Sequence, residues 1–537
     1  MEIEALIEQV ADTSLRERIE KLATERERYR ELYLDALEKI KKLERGLLGQ
    51  KAERLAVDDA QLTMALLSVL LDEGTTSGEP RDDAVSEDES KVEVAGHARR
   101  KSGRKPLPEH LPRVDVEILP PEVQAEGLDA FEQIGEEVTE VLERRSARVV
   151  VVRVVRKKFV RKDRERNAPT EVWIGEVPDQ PIPRGLAGPG MLADTLVRRW
   201  QDHMPVHRLE QMYAREGLDI VRSTICGWHA QLMPLVEPVV EAMRQDAFTS
   251  PLLLTDATGV LVRAKEKCHR SHFWVVIAPG MHVLFRFTPK HDSDAVDRIL
   301  EGYEGYLVAD AATVYDHLYA DGTIIEVGCW AHNRRYYFKA LGSDPERARQ
   351  ALAPINGLFR IERKLEAEGA SRATKQAVRR EKSKPLVDTF FDWCDREADR
   401  VLDDTPIAKA IGYSRNQRQA LHRFLDDGRL PLHNNGSELQ LRRQAIGRKN
   451  WLFVGHDDAA AVNCAFVSLL ASCQLHKLEP WAYLRDILCL LPAWPNRRVL
   501  ELAPAYWKQT LEQPDTRQRL EANPFRRITL REHLPDG

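Results

Sequence analysis

Cysteine is absent from the chain before Cys226, so neither a disulfide nor a cysteine-ligated metal site can form in that part. The seven cysteines at or after Cys226 show no disulfide-like framework, which fits a reducing compartment. The chain has no run of about eighteen apolar residues, so we expect no membrane span. Its acidic start, residues 1–4, lacks the basic and then apolar form of a secretory signal. We therefore expect a cytoplasmic protein without a membrane partner.

An excess of positive charge is also missing. The formal net charge is −5, so any contact with nucleic acid must come from local basic patches. Apolar residues make up 43% and charged residues 31% of the chain, as in soluble globular proteins. A chain of 537 residues is too long for one core, and its length predicts about three to four structural units.

The segment from Ser250 to Asp310 has the pattern of a nuclease core. Three runs rich in branched and aromatic residues predict strands, a segment with helical spacing follows, and a fourth apolar run ends in Asp310. Asp256 lies on the first strand, and the two carboxylates would meet if strands one and four pair side by side. Strand, strand, strand, helix, strand is the order of a ribonuclease-H-like α/β core, a mixed sheet flanked by helices. The runs are 251–262, 273–277 and 283–287, then 296–303 for the helix and 305–310 for the last strand.

A third carboxylate is predicted to complete this core. A short helix (312–318) and a strand (323–329) continue the order, and the charged, mostly helical residues 337–430 form a predicted insertion. Asn, Gly and Ser residues directly before Glu438 predict a helix start, where the positive end of the helix dipole favours a carboxylate.

Three converging carboxylates repel one another unless cations neutralise them. Mg²⁺ is the natural candidate, because it takes oxygen ligands and substrate phosphates. Two such ions about 3.5–4 Å apart support phosphodiester chemistry on a nucleic acid. The alternative is that Asp256, Asp310 and Glu438 are unrelated strand-end and helix-cap acids.

The region before the core contains several predicted elements. Near-heptad apolar spacing over residues 15–48 predicts a short coiled coil for self-association, with a lone amphipathic helix as the alternative. Residues 73–96 read as a disordered acidic linker. The basic segment 97–106 suits contact with a phosphate backbone or a minor groove, and a solvated tail is the alternative. A β-rich unit at 114–175 carries a second basic run, 156–162, for which we favour phosphate contact over a solvated face.

Residues 187–233 predict three helices. They are expected at 191–200, at 206–215 and, with Ser223 as cap, at 224–232. The last two with their Gly-containing turn match a helix-turn-helix, although ordinary helical hairpins share this pattern. The predicted domain order is 1–72 helical and coiled coil, 73–96 linker, 97–180 basic arm and β-rich unit, 181–245 helical DNA-binding region, 246–336 core, 337–430 helical insertion, 431–492 core with Glu438, and 493–537 tail.

Several short segments carry a family resemblance. They are Gly103–Pro108, Pro205–Gln211, Thr255–Thr258, Leu307–Asp310, Gly328–Arg335, Asn434–Glu438 and Ile446–Phe453. Through these segments the chain, over roughly residues 45–492, resembles the insertion sequence 66 family of DDE transposases. The resemblance implies a multidomain α+β, nucleoid-associated bacterial transposase that binds the terminal inverted repeats of a mobile element, cuts DNA there, and joins strands to target DNA. It implies Asp256, Asp310 and Glu438 as the acidic triad holding two Mg²⁺ ions, with Mn²⁺ as a substitute. It also implies double-stranded DNA as partner, a homodimer or larger assembly, and small companion proteins of the same element.

Three departures from the family's pattern stand out. His433 stands where the family usually has Asp, Leu439 where it usually has Arg, and the cysteine-based zinc unit after Gly103–Pro108 is missing. We expect His433 not to be an essential ligand, one phosphate contact to be lost at Leu439, and the β-rich unit to be held together by packing. A catalytically inactive DNA-binding or regulatory relic, and a ribonuclease-H-like nuclease without strand joining, remain alternatives.

The remaining candidates are auxiliary. Cys329 and His332 have the spacing of half a zinc site, but no second pair stands close by, so His332 is predicted to support the active site together with Asn434 and Asn435. Residues 451–453 and the helix 460–475 are predicted core, with Cys464 and Cys473 buried; residues 495–537 receive no role. Predicted DNA-binding residues, with surface salt bridges as the alternative, are Arg99, Arg100, Lys101, Arg104, Lys105, Arg156, Lys157, Lys158, Arg334, Arg335, Arg442, Arg448 and Lys449.

Overall fold

The computed structural model describes residues 107–145, 148–162, 171–264 and 267–530, which all belong to one compact unit. The predicted coiled coil (15–48), linker (73–96) and basic segment (97–106) lie outside the described residues.

A small sheet opens the described chain, and it confirms the strands expected near residues 114–175. Alternate valines of β3 face opposite sides, so each side of the strand packs into a different apolar cluster. Val150, Val152 and Val154 pack in one apolar cluster with valines of the neighbouring strands. The elements are β1 Arg113–Ile118, α1 Pro121–Glu126, β2 Phe131–Arg145, β3 Arg148–Arg161 and β4 Trp173–Ile174, in the order β1-β3-β2 with β4 paired to β3.

Three helices connect this sheet to the core: α2 (Pro189–Leu196, extended by a π turn to Gln201), α3 (Val206–Arg215) and α4 (Arg222–Ala247). The predicted cap at Ser223 and the predicted end near Leu232 are wrong, because α4 follows Val221 and continues through two prolines. An internal proline costs about 3 kcal/mol. Both prolines point outward, and the opposite side of α4 buries a long apolar stripe that offsets their cost: Ile225, Trp228, Leu232, Val236, Val239, Val240, Met243 and Ala247.

The second sheet is mixed and has the order β7-β6-β5-β8-β9. β5 pairs antiparallel with β6 and parallel with β8, so it lies at the centre between a hairpin and a parallel pair. The predicted order of strands and helix is confirmed, and the sheet is consistent with a ribonuclease-H-like core. The segment predicted as a helix at 312–318 is a 3₁₀ helix, Thr313–Tyr319. The bounds are β5 Leu252–Val262, β6 His269–Ala278, β7 His282–Thr288, α5 Ser293–Leu300, β8 Gly305–Val308 and β9 Ile324–Val327.

Helices fill the segment after β9, as predicted. A buried ion pair fastens them: the Arg379 guanidinium donates to both carboxylate oxygens of Glu362 at 2.7 and 2.8 Å. Its third nitrogen donates to the carbonyls of Phe424 and Asp427, so the buried guanidinium makes four hydrogen bonds. The helices are α6 Trp330–Ala340, α7 Pro345–Ala367, α8 Arg372–Val378, α9 Lys384–Ala398, α10 Pro406–Asn416 and α11 Arg418–His422.

The helix α12 (Asn435–Trp451) ends in a strained turn. Leu452 has φ 62° and ψ −48°, and the Phe453 N–H donates to the Trp451 carbonyl at 2.7 Å, which is the geometry of a γ-turn with positive φ. Val454 then returns to the sheet, where it exchanges hydrogen bonds with Leu261 and Arg263 at 2.8 Å. The prediction that residues 451–453 are core is wrong for Leu452 and Phe453, which are 68% and 42% exposed, because the turn directs Val454 to the sheet instead.

The helix α13 (Asp457–Leu475) covers the edge strand β7. The N–H groups of Val283 and Phe285 donate to the Ser472 and Ser468 hydroxyls at 3.0 and 2.7 Å, so serines one helical turn apart satisfy alternate residues of the strand. By length and composition α13 is the one helix among the described residues that could cross a membrane, and 67% of its most apolar window is buried inside the protein. The predicted burial of Cys464 and Cys473 on this helix is confirmed.

The C-terminal segment, which received no role from the sequence, closes the small sheet. Phe525 and Ile528 are buried in the cluster formed by Val150, Val152 and Val154. The elements are α14 Pro480–Leu490, α15 Trp507–Glu512, α16 Pro514–Ala522 and α17 Pro524–Leu530.

Candidate active site and adjoining cavity

Two of the predicted catalytic acids follow paired residues of neighbouring parallel strands. Leu254 of β5 pairs with Val308 of β8, and Asp256 and Asp310 each come two residues later. Asp256 lies on β5 and Asp310 lies just beyond the end of β8, so both acids follow the last paired residues of these two strands. The pairing of these two strands is the one on which the predicted meeting of the two carboxylates depends.

The electrostatics of Asp256 show that the three acids influence one another. Burial, and after it the negative charges of Asp310 and Glu438, raise the pKa of Asp256 to about 7. A hydrogen bond from the Ala257 N–H at 2.7 Å and the charge of Arg335 act in the opposite sense. Asp256 therefore lies within electrostatic reach of both other acids, and a bound cation would relieve their repulsion.

Asn434 fixes the helix that carries Glu438. It precedes α12, but its side chain makes no capping hydrogen bond to the helix. Instead its buried amide donates to the Thr255 carbonyl at 2.8 Å, while its N–H donates to the Cys329 thiol at 3.2 Å. Thr255 is the neighbour of Asp256, so the tie links the start of the Glu438 helix to the strand of the first acid.

The Glu438 carboxylate is held by two neighbours from α6. Its Oε1 accepts a hydrogen bond from Arg335 Nη2 at 2.9 Å and lies 3.4 Å from His332 Nε2. Burial lowers the pKa of His332, and the charge of Arg335 lowers it further. His332, predicted as auxiliary, thus contacts a predicted catalytic acid, whereas Asn435 lies exposed at the start of α12.

The carboxylate oxygens of Asp256, Asp310 and Glu438 suit a hard cation, although they are not arranged around a common metal position. Among the described residues no group of three or more His, Cys, Asp or Glu side chains is arranged to hold a metal ion. Glu438 is neutralised by Arg335 instead, so sharing a cation with Asp256 and Asp310 requires it to exchange that partner. Carboxylate oxygens are the ligands that Mg²⁺ prefers. Cys329 is buried with a raised thiol pKa and accepts a hydrogen bond from the main chain.

A cavity of about 510 Å³ opens beside Glu438. Its aromatic walls, Phe338 of α6 and Phe359 of α7, were missed by the sequence interpretation. The signal that could have found Phe338 is helical spacing, since it follows Arg334 and Arg335 by one turn. The lining residues are Ala331, Arg334, Arg335, Phe338, Phe359, Asn435, Glu438, Leu439 and Arg442.

The basic residues predicted to bind DNA fall into different surroundings. Arg156 and Lys158 pair with Glu137, and Lys157 pairs with Glu117, so carboxylates of neighbouring strands balance this run. Arg448 donates to the Thr258 hydroxyl at 2.9 Å and to the Gly259 carbonyl, which ties α12 to β5. Arg442 and Lys449 are exposed. Arg99, Arg100, Lys101, Arg104 and Lys105 lie outside the described residues. DNA contact by each of these residues stays a prediction.

The sheet order, with Asp256 and Asp310 beside its paired parallel strands, is consistent with the class of DDE transposases that have a ribonuclease-H-like core. Comparison with known families places the chain within this class. Residues 184–462 match the family described as "Transposase IS66 family", residues 36–116 match "Transposase C of IS166 homeodomain", and residues 468–505 match "IS66 C-terminal element". The chain belongs to the IS66 transposase family.

Relatives from Sinorhizobium fredii are similar over nearly the whole chain. Uncharacterized protein y4hP is 30% identical over 498 residues, which are 88% of this chain and 88% of the relative. Uncharacterized protein y4qI is 28% identical, with 87% of this chain and 88% of the relative covered. Uncharacterized protein y4jD is 26% identical, with 88% and 94% covered.

Proposed function

We propose that this chain is an active DNA transposase that binds the terminal inverted repeats of an insertion sequence, cuts the DNA there, and joins the cut strands to target DNA. In this proposal Asp256, Asp310 and Glu438 are the catalytic acids. The observation that carries it is the placement of Asp256 and Asp310 at one edge of two paired parallel strands, with Glu438 close enough to raise the pKa of Asp256. Membership of the IS66 transposase family supports the same reaction class.

The three carboxylates would hold two Mg²⁺ ions, or Mn²⁺ in their place. When bound, such ions activate a water or 3′-hydroxyl and stabilise the departing oxygen. Asn434 keeps Glu438 aligned with the strand of Asp256. Arg335, which neutralises Glu438 in the structure, can instead hold a phosphate of the DNA strand.

Transposition joins two element ends, so we extend the proposal to a homodimer or larger assembly on double-stranded DNA, acting at the nucleoid in the cytoplasm. Small companion proteins of the same element are further proposed partners.

Cleavage of a supercoiled donor plasmid with both element ends tests the proposal. With Mg²⁺ or Mn²⁺ the wild-type chain should cut at the ends and produce joined strands. Asp256→Asn should bind the same DNA without cutting, because an amide is a poorer cation ligand than a carboxylate. Arg270→Gln, an exposed change on β6, serves as the control and should cut normally.

Two outcomes contradict the proposal in different ways. Binding without cutting by the wild-type chain would indicate an inactive regulatory relic. Cutting without any joined product would indicate a nuclease.

A further inference from the structure

The cavity beside Glu438 lies between two helices that present matching stripes to it. Ala331, Arg334, Arg335 and Phe338 lie at positions i, i+3, i+4 and i+7 of α6. Asn435, Glu438, Leu439 and Arg442 repeat the same spacing on α12. Residues at this spacing share one face of a helix, so each helix turns one whole stripe toward the cavity. Phe359 of α7 adds a further wall.

The walls combine apolar rings with guanidinium groups. The Arg334 guanidinium lies 4.8 Å from the centre of the Phe338 ring and 5.6 Å from that of Phe359. The Phe359 ring stacks on His433 with centroids 5.8 Å apart and planes 12° from parallel. Leu439 extends the apolar surface and is 60% exposed. His433 and Leu439, two departures from the family's pattern, thus both belong to the surroundings of this cavity.

The charges of the cavity are mostly positive. The cavity is lined by three guanidinium groups, those of Arg334, Arg335 and Arg442, and by one acid, Glu438. Arg334 donates to the Asn356 side chain at 2.9 Å, and Arg335 donates to Glu438. Arg442 is exposed and has no ion pair or hydrogen bond to any residue that the structure describes. An apolar ring beside the unpaired Arg442 guanidinium suits a ligand that joins a flat aromatic ring to a phosphate.

We propose that this cavity receives one nucleotide of the bound DNA, turned out of the base stack next to the strand held at Glu438. The base lies against Phe338 and Leu439, and the phosphate pairs with Arg442. Aromatic side chains accept any base in this way, because every base has a π face. The cost of unstacking is a few kcal/mol, so a base that is already unpaired should bind better than a paired one.

This inference rests on the proposed function only in taking DNA as the ligand, and it is tested by binding alone. The probes are a short fluorescent duplex with one unpaired thymidine and the fully paired duplex of the same sequence, titrated at one salt concentration with the full chain. The wild-type chain should bind the bulged duplex on the order of tenfold more tightly. Phe338→Ala should bring the ratio of the two dissociation constants close to one.

Tyr336→Ala is the matched control. It removes an aromatic ring from the same helix with similar exposure, 37% against 41% for Phe338, but Tyr336 stacks on Tyr413 and does not line the cavity. This variant should keep the wild-type ratio. Arg442→Ala should weaken binding of both duplexes and reduce the salt slope by about 1, as expected for a lost phosphate contact.

Three results would overturn the proposal. They are no DNA binding, equal affinity of the wild-type chain for both duplexes, and a preference that survives both Phe338→Ala and Phe359→Leu. Binding of thymidine 5′-monophosphate tests whether the cavity takes a free nucleotide instead. Saturable binding of this nucleotide, without a preference for the bulged duplex, would assign the cavity to a free nucleotide. A measured preference without strand cleavage would refute the proposed transposase reaction and leave this inference intact, and cleavage without a preference would do the reverse.

Discussion

Replacing Asn434 should separate the alignment of the active site from its chemistry. Its amide makes the buried 2.8 Å hydrogen bond to Thr255, one residue before Asp256. Asn434→Ala leaves a buried carbonyl without this donor, which costs about 1–3 kcal/mol of unfolding free energy. Asn434→Asp should be worse, because a carboxylate cannot donate this bond and adds negative charge to a site where like charges already raise the pKa of Asp256.

In the Asn434 variants the rate of DNA cleavage should fall by more than the loss of unfolding free energy alone would cause. A shift of about 1 Å in the position of a reacting group can cost on the order of 100-fold in rate. We therefore expect single-turnover cleavage by Asn434→Asp to slow by roughly two orders of magnitude at saturating Mg²⁺, while DNA binding is retained. The rates are measured well below the unfolding temperature of each variant, so that loss of folded protein does not contribute.

The exposed Asn496 offers a matched control, since Asn496→Asp makes the same chemical change outside the site. Cleavage by Asn434→Asp within twofold of the Asn496→Asp rate would refute the idea that the tie aligns Glu438 with Asp256.

Two further predictions concern stability. Burial raises the pKa of Glu143 from 4.5 to about 8, so the folded chain binds more protons than the unfolded chain between these values, and stability should fall as pH rises through this window. The free energy of unfolding, measured with urea at several pH values, should depend less on pH in Glu143→Gln than in the exposed control Glu136→Gln. The same pH dependence in both variants would contradict the assignment of this effect to Glu143. Arg379→Met should lower the unfolding free energy by about 3–5 kcal/mol, because it leaves Glu362 buried and unpaired. Adding Glu362→Leu should recover part of the loss, and a double variant no more stable than the single one would count against the pair.

The sequence was most informative where structure is local. The strands bearing Asp256 and Asp310 were predictable because branched and aromatic runs between turn residues specify strands, and the order of elements implied their pairing. The continuation of α4 through Pro234 and Pro238 was not predictable from the sequence, because burial of the inner face of the helix outweighs the local cost of the two prolines.

The cavity depends on tertiary packing in a different way. Phe338 and Phe359 lie on separate helices, and no local pattern indicates that both rings line one cavity beside Glu438. Asn434 was predicted at the right position, but its partner Thr255 is far away in sequence, so its tie to β5 could not be derived from residue spacing. The exposure of Leu452 follows from the γ-turn, for which the sequence offers no turn-forming glycine.

Helix α12 is fastened to β5 near its start by Asn434, near its end by Arg448, and just beyond it by Val454. These three ties restrict movement of α12 relative to β5, so the backbones that carry Glu438 and Asp256 should move together when the chain binds a substrate. The opposite wall of the cavity is formed by α6 and α7, and Arg335 of α6 is tied to Glu438. Substitutions that loosen these two helices should therefore change the width of the cavity, while the backbones that carry the two acids keep their spacing.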